Sequence, residues 1–521
     1  MISLLGDPIE LATTTKNGDR MQLTLGHHPA SGTPAFPTDG PHLRLLTTPS
    51  SMQRASGKAP ADEVRRPQRE LLSGWGRTSP VRCEVLRPDN PLDVEDVLGE
   101  RTQVIARGLG RSYGDAAQAA GGTVINTIGL DGIRAFDPTS GTITVDAGVS
   151  LDRLMQFVIP RGWFVGVTPG TRQVTIGGAI AADVHGKNHH HDGTFCEHVT
   201  DITISTGRGV EHLTPHGTPE KFWATAGGMG LTGVITAATL QLRPIETPLI
   251  ASRTERHGDL SSLMDALRVA DTASTYTVAW IDTLSPGRRL GRGLVVSGEH
   301  ATRNEVESRR PGSLDDAGEF RSRSIRLPDV AVPLLSPTVG KAFNRVWYRI
   351  NRTGEHLESI GMFFHPLDAI ANWNLLYGRR GFVQWQCAVP DTAAWVIDDA
   401  LRQLAAIGAG SFMSILKRFG PSNDGPLSFP IGGWTLAVDV PTHIHRLAAT
   451  LDRLDQQTAS AGGRIYFAKD ARLDAQLVPA MYPRLDEWRE TRDAMDPDRL
   501  FASDLSRRLH LTDTLSTGCI R

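Results

Sequence analysis

The sequence predicts an α+β protein of two domains. Three observations carry this. The chain has 521 residues, 40% of them hydrophobic, too many for one compact core. From about residue 71 to 247 short strand-like and helix-like patterns alternate. From about 250 to 463 the texture changes, with longer strand-like runs and a segment over 285–328 rich in Arg, Gly, Ser and Pro.

The elements follow in chain order. Residues 1–67 are polar and rich in Pro, Thr, Gly and Ser, which predicts a disordered extension. Folded character begins near Leu71–Arg77. Gln103–Ala106 reads as a strand entering a glycine-rich loop, and Gly141–Asp146 alternates as a half-buried strand does. Ser150 is placed to cap a helix whose apolar residues Leu151, Leu154, Met155 and Val158 share one face. Thr232–Leu242 alternates as a long strand. In the second region, 285–328 is expected to contain a long mobile loop, Gly381–Cys387 and Trp434–Asp439 predict strands, and Ile444–Leu454 predicts a helix stopped by Gly462 and Gly463. Arg464–Asp470 predicts a strand that delivers polar groups at its end.

Composition excludes several classes. Lys+Arg number 55 against 57 Asp+Glu, so there is no basic excess of the kind nucleic-acid proteins show. The four cysteines, Cys83, Cys196, Cys387 and Cys519, have no CxxC spacing, which argues against a disulfide framework or a zinc ribbon. No apolar run reaches the roughly 18 residues of a membrane span. The N-terminus lacks a basic start before an apolar core, so no secretory signal is expected.

Chemistry concentrates in a few segments. Ala106-Arg107-Gly108-Leu109-Gly110-Arg111-Ser112-Tyr113-Gly114-Asp115 has glycines that let backbone approach a ligand, and arginines suited to a pyrophosphate. An ordinary tight turn explains it equally well. Gly170 precedes Thr175-Ile176-Gly177-Gly178, where Thr175 could cap a helix of small residues; a flat cofactor could lie there, or the helix could serve packing. Gly228–Gly233 spells GxGxxG, but a strand follows it rather than a helix, which argues against a dinucleotide fold of the NAD type. His185 and Lys187 follow the small-residue helix and are active-site candidates. His189, His190 and His191 read as a solvated loop, and no metal site is expected. Lys469 and Lys417 are candidate cations near a ligand, or solvated surface groups.

Taken together, the segments at 106–115, 169–190, 222–233, 363–374, 416–430, 462–472, 480–488 and 501–509 resemble the decaprenylphosphoryl-β-D-ribose 2′-oxidases, FAD enzymes of the vanillyl-alcohol-oxidase type. The similarity runs from about Gly74 to Leu509. It implies an FAD-binding domain split over 68–249 and 464–521, and a substrate domain with an antiparallel sheet inserted over 250–463. It implies FAD contacts at Ala106 through Ala116, Gly170, Thr175 to Gly178, Ala182, Asp183, Val184, His185, Ile235 and Tyr466. Substrate-side positions would be His185, Lys187, Trp280, Gln386, Lys417 and Lys469, with Lys469 and His185 aligning and deprotonating the hydroxyl. Many relatives tether FAD to the histidine of a G-H-S motif. Here Arg111 stands in that place, which implies a non-covalent flavin. Family members captured by thiol-reactive inhibitors carry a cysteine where this chain has Ala437. Thr435 and Phe364 also depart from the family's Asn and Tyr.

The resemblance further implies oxidation of the ribose 2′-hydroxyl of a polyprenylphosphoryl ribose lipid. It implies a partner NAD-dependent keto-reductase that completes epimerisation to the arabinose lipid for cell-wall arabinan, and peripheral contact with the plasma membrane, on the periplasmic face in the family. An alditol or aldonolactone oxidase on the same fold, or a flavin-free binding protein, are the other readings.

Overall fold

The computed structural model describes residues 12–14, 20–22, 67–99, 101–311, 320, 324–326 and 337–513. Of the predicted extension over 1–67, Ala12–Thr14 and Arg20–Gln22 pair antiparallel; most of the rest lies outside the described residues, as does Cys519.

From Gln68 onward the strands form three large sheets. The first has four strands in the order Gln68–Leu72, Val81–Leu86, Thr123–Asn126, Val104–Arg107. Its last three strands are parallel, and Val104 makes a further parallel bridge to Phe501. The second has six strands around Val234–Pro244, which pairs antiparallel with Val199–Ser205, Thr142–Asp146 and Trp163–Val165. The predicted run Thr232–Leu242 is this strand, shifted by two residues. Most of its inward residues are buried on both faces, which is why it carries Val, Ile and Ala rather than a polar stripe.

Helix positions follow local signals. Ser150 Oγ accepts from Arg153 N at 3.1 Å, and Leu151, Leu154, Met155 and Val158 of Leu151–Val158 are all fully buried. Thr175 caps Ile176–Ala181, its Oγ1 accepting from Gly178 N at 3.2 Å. Leu447–Ser460 ends before Gly462, which sits at φ 72°, a conformation that glycine adopts without steric cost.

The third sheet has eight antiparallel strands, in the order Gly354–Ser359, Leu249–His257, Gly293–His300, Tyr276–Ile281, Ser414–Phe419, Gly433–Pro441, Phe382–Pro390, Arg464–Ile465. The stretch 285–328, expected to contain a long loop, also holds regular structure: Gly293–His300 is a full strand between two neighbours, and Arg303–Arg309 is a helix with a Thr302/Glu305 capping box. Arg and Gly enrichment concealed the Leu294-Val295-Val296 core of that strand. Residues 312–319 and 321–323 lie outside the described residues. The strand predicted over Arg464–Asp470 is only Arg464–Ile465, paired to Cys387 and Ala388. Beyond it the chain turns, with Lys469 N and Asp470 N both bonded to Tyr466 O.

That turn is locked to the glycine-rich loop. Tyr113 N donates to Ala468 O at 2.9 Å, and Arg508 pairs with both Asp115 (2.7 Å) and Asp470 (2.8 Å). The C-terminal segment therefore holds the segment around Lys469 against residues 108–116.

Candidate active site

A cavity of about 290 Å³ lies between the glycine-rich segments and the eight-stranded sheet. This is near the lower bound for small-molecule pockets. Its floor is backbone and small side chains: Gly108, Gly110, Ser112, Gly170, Gly177, Gly178, and around them Ala106, Ala116, Ala181 and Ala182. A Cβ on Gly108 would stand 2.1 Å from Thr175 Oγ1, so only glycine lets the loop lie on that cap. Gly110 is at φ 64°, and any Cβ there would strike the Arg107 guanidinium at 2.4 Å.

This floor suits a flat ring system joined to phosphates. Backbone is exposed to the cavity along two glycine segments, and side chains do not fill it. Arg111 lines the cavity, lies 3.8 Å over the Trp75 ring, and has a buried Nε with no hydrogen-bond partner. A buried unpaired donor is costly unless a ligand accepts from it. The residues present therefore fit a flavin dinucleotide, and Arg111 offers no nucleophile for a covalent tether.

The predicted cofactor residues separate into two groups. Leu109, Tyr113, Thr175, Val184, His185, Ile235 and Tyr466 line the cavity with the glycines and alanines. Others support it from behind. Arg107 turns away and donates to Ser73 O and Ala117 O, so it braces the loop rather than facing a pyrophosphate. Gly114 packs on Asp470 backbone, Asp115 is taken by Arg508, and Ile176 is in the core. Asp183 accepts from Cys196 N and Asn423 Nδ2.

The opposite wall is polar. Lys417 Nζ lies 3.0 Å from His185 Nδ1 and donates to Gly186 O at 3.0 Å. Gln386 donates its two N–H groups to His185 Nε2 (3.1 Å) and Thr435 Oγ1 (3.2 Å). A neutral imidazole has one N–H, and with Nε2 accepting, that proton sits on Nδ1 and points at Lys417. Lys417 can accept it only as a neutral amine. Burial, with Lys187 and Lys469 nearby, draws Lys417 down to about 7, so that form is populated near neutral pH. Burial and the Lys417 charge hold His185 well below the usual histidine range.

Lys469 stands apart. Its Nζ is 3.8 Å over the Tyr113 ring and makes no hydrogen bond or ion pair among the described residues. Burial pulls its pKa below the ordinary lysine range, partly offset by Asp439. Asp439 is fully buried, accepts from Gln384, and is pushed up by desolvation.

Three predicted positions fall elsewhere. Lys187 donates to Phe363 O and lies 4.1 Å over the Phe363 ring. Trp280 Nε1 donates to Phe412 O. Neither lines the cavity. Phe364 is packed among Phe164, Tyr276 and Phe363. Only part of the histidine run is solvated: His189 is 2% exposed and its Nδ1 accepts from Gly420 N, His190 Nε2 meets Ser274 O, while His191 is exposed with its Nδ1 beside Asp192. The three rings face different partners.

Sequence reading missed Gln384, Met413 and Ile415, which line the cavity wall with Ala437. Their signal was available in the period-2 alternation with Gln386 and Lys417, because strand neighbours two apart share a face. Met229, Gly230 and Gly233 also line the cavity, so the GxGxxG segment contributes after all, although a helix (Pro219–Thr225) precedes it and a strand follows.

One consequence is testable at Gly108. Gly108→Ala must displace Thr175 and loosen the cap beneath the cavity floor. Affinity for FAD is expected to fall at least about tenfold, the scale of losing one good hydrogen bond or cap. Fluorescence titration of the flavin-stripped protein measures it.

Comparison with known proteins agrees with this geometry. The FAD binding domain family matches residues 84–214. A decaprenylphosphoryl-beta-D-ribose oxidase of Mycolicibacterium smegmatis is 41% identical over 84% of this chain and 97% of its own length. An uncharacterised Streptomyces coelicolor protein is 38% identical over 70% of this chain and all of its own length. An L-gulono-1,4-lactone dehydrogenase of Mycobacterium tuberculosis is 24% identical over 84% of this chain. Identity of this extent over most of both chains places the chain in the decaprenylphosphoryl-β-D-ribose oxidase family of FAD-dependent oxidoreductases.

Proposed function

We propose that this chain oxidises the ribose 2′-hydroxyl of decaprenylphosphoryl-β-D-ribose to the ketone, using FAD. The observation that carries the reading is a cavity with a glycine floor for the cofactor and an uncommitted lysine amine, Lys469, on its far side. Bound FAD supplies the oxidising power, taking two electrons and the carbon-bound hydrogen. The protein has to orient the sugar and remove the hydroxyl proton.

Lys469 is the residue for that proton. Desolvation favours its neutral amine, the form that accepts a proton. His185 has both ring nitrogens engaged by Gln386 and Lys417, so it positions those two side chains in the wall rather than titrating. Lys417 holds the phosphoribose: an anion arriving beside it favours its charged form and releases it from His185. A lipid substrate places the enzyme peripherally on a membrane, and none of the described helices is long and apolar enough to cross one. The ketone requires a separate NAD-dependent keto-reductase to yield the arabinose lipid used in cell-wall arabinan.

Anaerobic mixing of the FAD-loaded enzyme with polyprenylphosphoryl ribose is expected to bleach the flavin's visible band, while free polyols and aldonolactones leave it unchanged. A band untouched by the ribose lipid, in enzyme of verified FAD content, removes this substrate. Lys469→Met is expected to slow bleaching by about a hundredfold or more with FAD still bound. In the parent enzyme the rate rises with pH through a midpoint below the ordinary lysine range, because deprotonation generates the accepting amine; the variant loses that rise. Ala437 lines the cavity, whereas Cys83, Cys196 and Cys387 are buried elsewhere. Thiol-reactive active-site ligands are therefore expected to leave the parent's cavity unlabelled and to modify Ala437→Cys at residue 437, as peptide-mapping mass spectrometry reads directly.

A further inference from the structure

The helix Pro337–Ile350 has a composition unlike its neighbours. Val339, Val346 and Ile350 are 49%, 53% and 47% exposed, and with Ala342 they form one stripe at helical spacing. Lys341, Arg345 and Arg349 are exposed beside that stripe, Arg352 follows, and no acidic residue occurs between 337 and 354. Among the described residues none of these four cations has an ion pair.

The other face of the helix is fixed. Phe343 meets the Phe412 ring edge-on at 5.7 Å and stacks on Trp347. Asn344 is fully buried and donates to Asp282 and Ser411 O. Phe412 precedes Met413, which lines the cavity. The helix is thus anchored next to the cavity wall, with its apolar and cationic surface turned outward.

We infer that this helix is the surface by which the enzyme sits on an anionic lipid bilayer, with Val346 and Ile350 in the acyl boundary and the flanking cations at the headgroups. A narrow apolar stripe bordered by Lys and Arg is the pattern of an interfacial helix, because the long cationic stems reach headgroups while the stripe enters the acyl region. A second copy is disfavoured as occupant: two such faces would bring like charges together with no carboxylate between them. The proposal deepens the reading of a lipid substrate, since a chain leaving the cavity beside Met413 would emerge next to the helix.

The test is flotation of the FAD-loaded full chain with phosphatidylcholine vesicles, with and without phosphatidylglycerol. Binding is expected only with phosphatidylglycerol and is lost at high salt. The triple variant Lys341→Glu, Arg345→Glu, Arg349→Glu, and separately Val346→Ser with Ile350→Ser, should weaken binding at least about tenfold, while turnover of a short-chain, soluble phosphoribose substrate stays unchanged. Equal binding by parent and variants overturns the proposal. So does a parent that ignores vesicles but dimerises through this helix in sedimentation. Loss of ribose-lipid oxidation with vesicle binding intact would instead remove the enzymatic assignment and leave the surface standing.

Discussion

The closest physical constraint in this protein is the contact of Gly108 with Thr175. One hydroxyl caps the helix Ile176–Ala181 and also forms the surface on which the glycine loop rests. Because a Cβ cannot fit between them, two segments distant in sequence become one continuous backbone floor. That floor then fixes what the remaining parts can do. Tyr113 is pinned to Ala468, and Arg508 clamps Asp115 and Asp470 together, so the position of Lys469 is inherited from the cofactor loop. Chemistry that needs a proton acceptor at a set distance from a redox group benefits from such a rigid link.

The second constraint is desolvation. Lys417 and Lys469 lie within a wall whose nearest buried carboxylate, Asp439, is itself driven toward its protonated form. In water each amine would be charged near neutrality. Within the cavity the cost of burying a charge exceeds the cost of losing a proton. The site thereby brings the titration of these amines down toward neutral pH, so that the neutral form becomes accessible and an arriving anion favours the charged one. The neutral imidazole of His185, held by Gln386 and Lys417, follows from the same imbalance.

Local signals were legible where the chemistry is local. Ser150 and Thr175 announce helix starts, Gly462 announces a stop, and Gly108 and Gly110 announce backbone that must approach something closely. The failures have a common cause. Arg107 has the charge for a pyrophosphate, yet its guanidinium is spent on Ser73 and Ala117 carbonyls, which no pattern in residues 106–115 reveals. Lys187 and Trp280 carry suitable groups but are committed to Phe363 and Phe412. The strand Gly293–His300 was hidden because its apolar centre is short and its flanks are polar.

The sequence by itself determined the chemical inventory: a glycine-rich floor, Arg111 in place of a tethering histidine, Ala437 in place of a thiol, and a lysine at 469. It also determined the family, because the segments from 106–115 through 501–509 match it in order along most of the chain. Tertiary structure decided which of them face one another. Strand pairing turned Gln384, Gln386, Met413, Ile415, Lys417 and Ala437 inward and sent Arg418 outward to Asp391 and Asp271. A side chain's direction on a strand is set by the register of its neighbours, and its charge by the water that those neighbours exclude. Both depend on residues far away in the chain, so neither is written at the position itself.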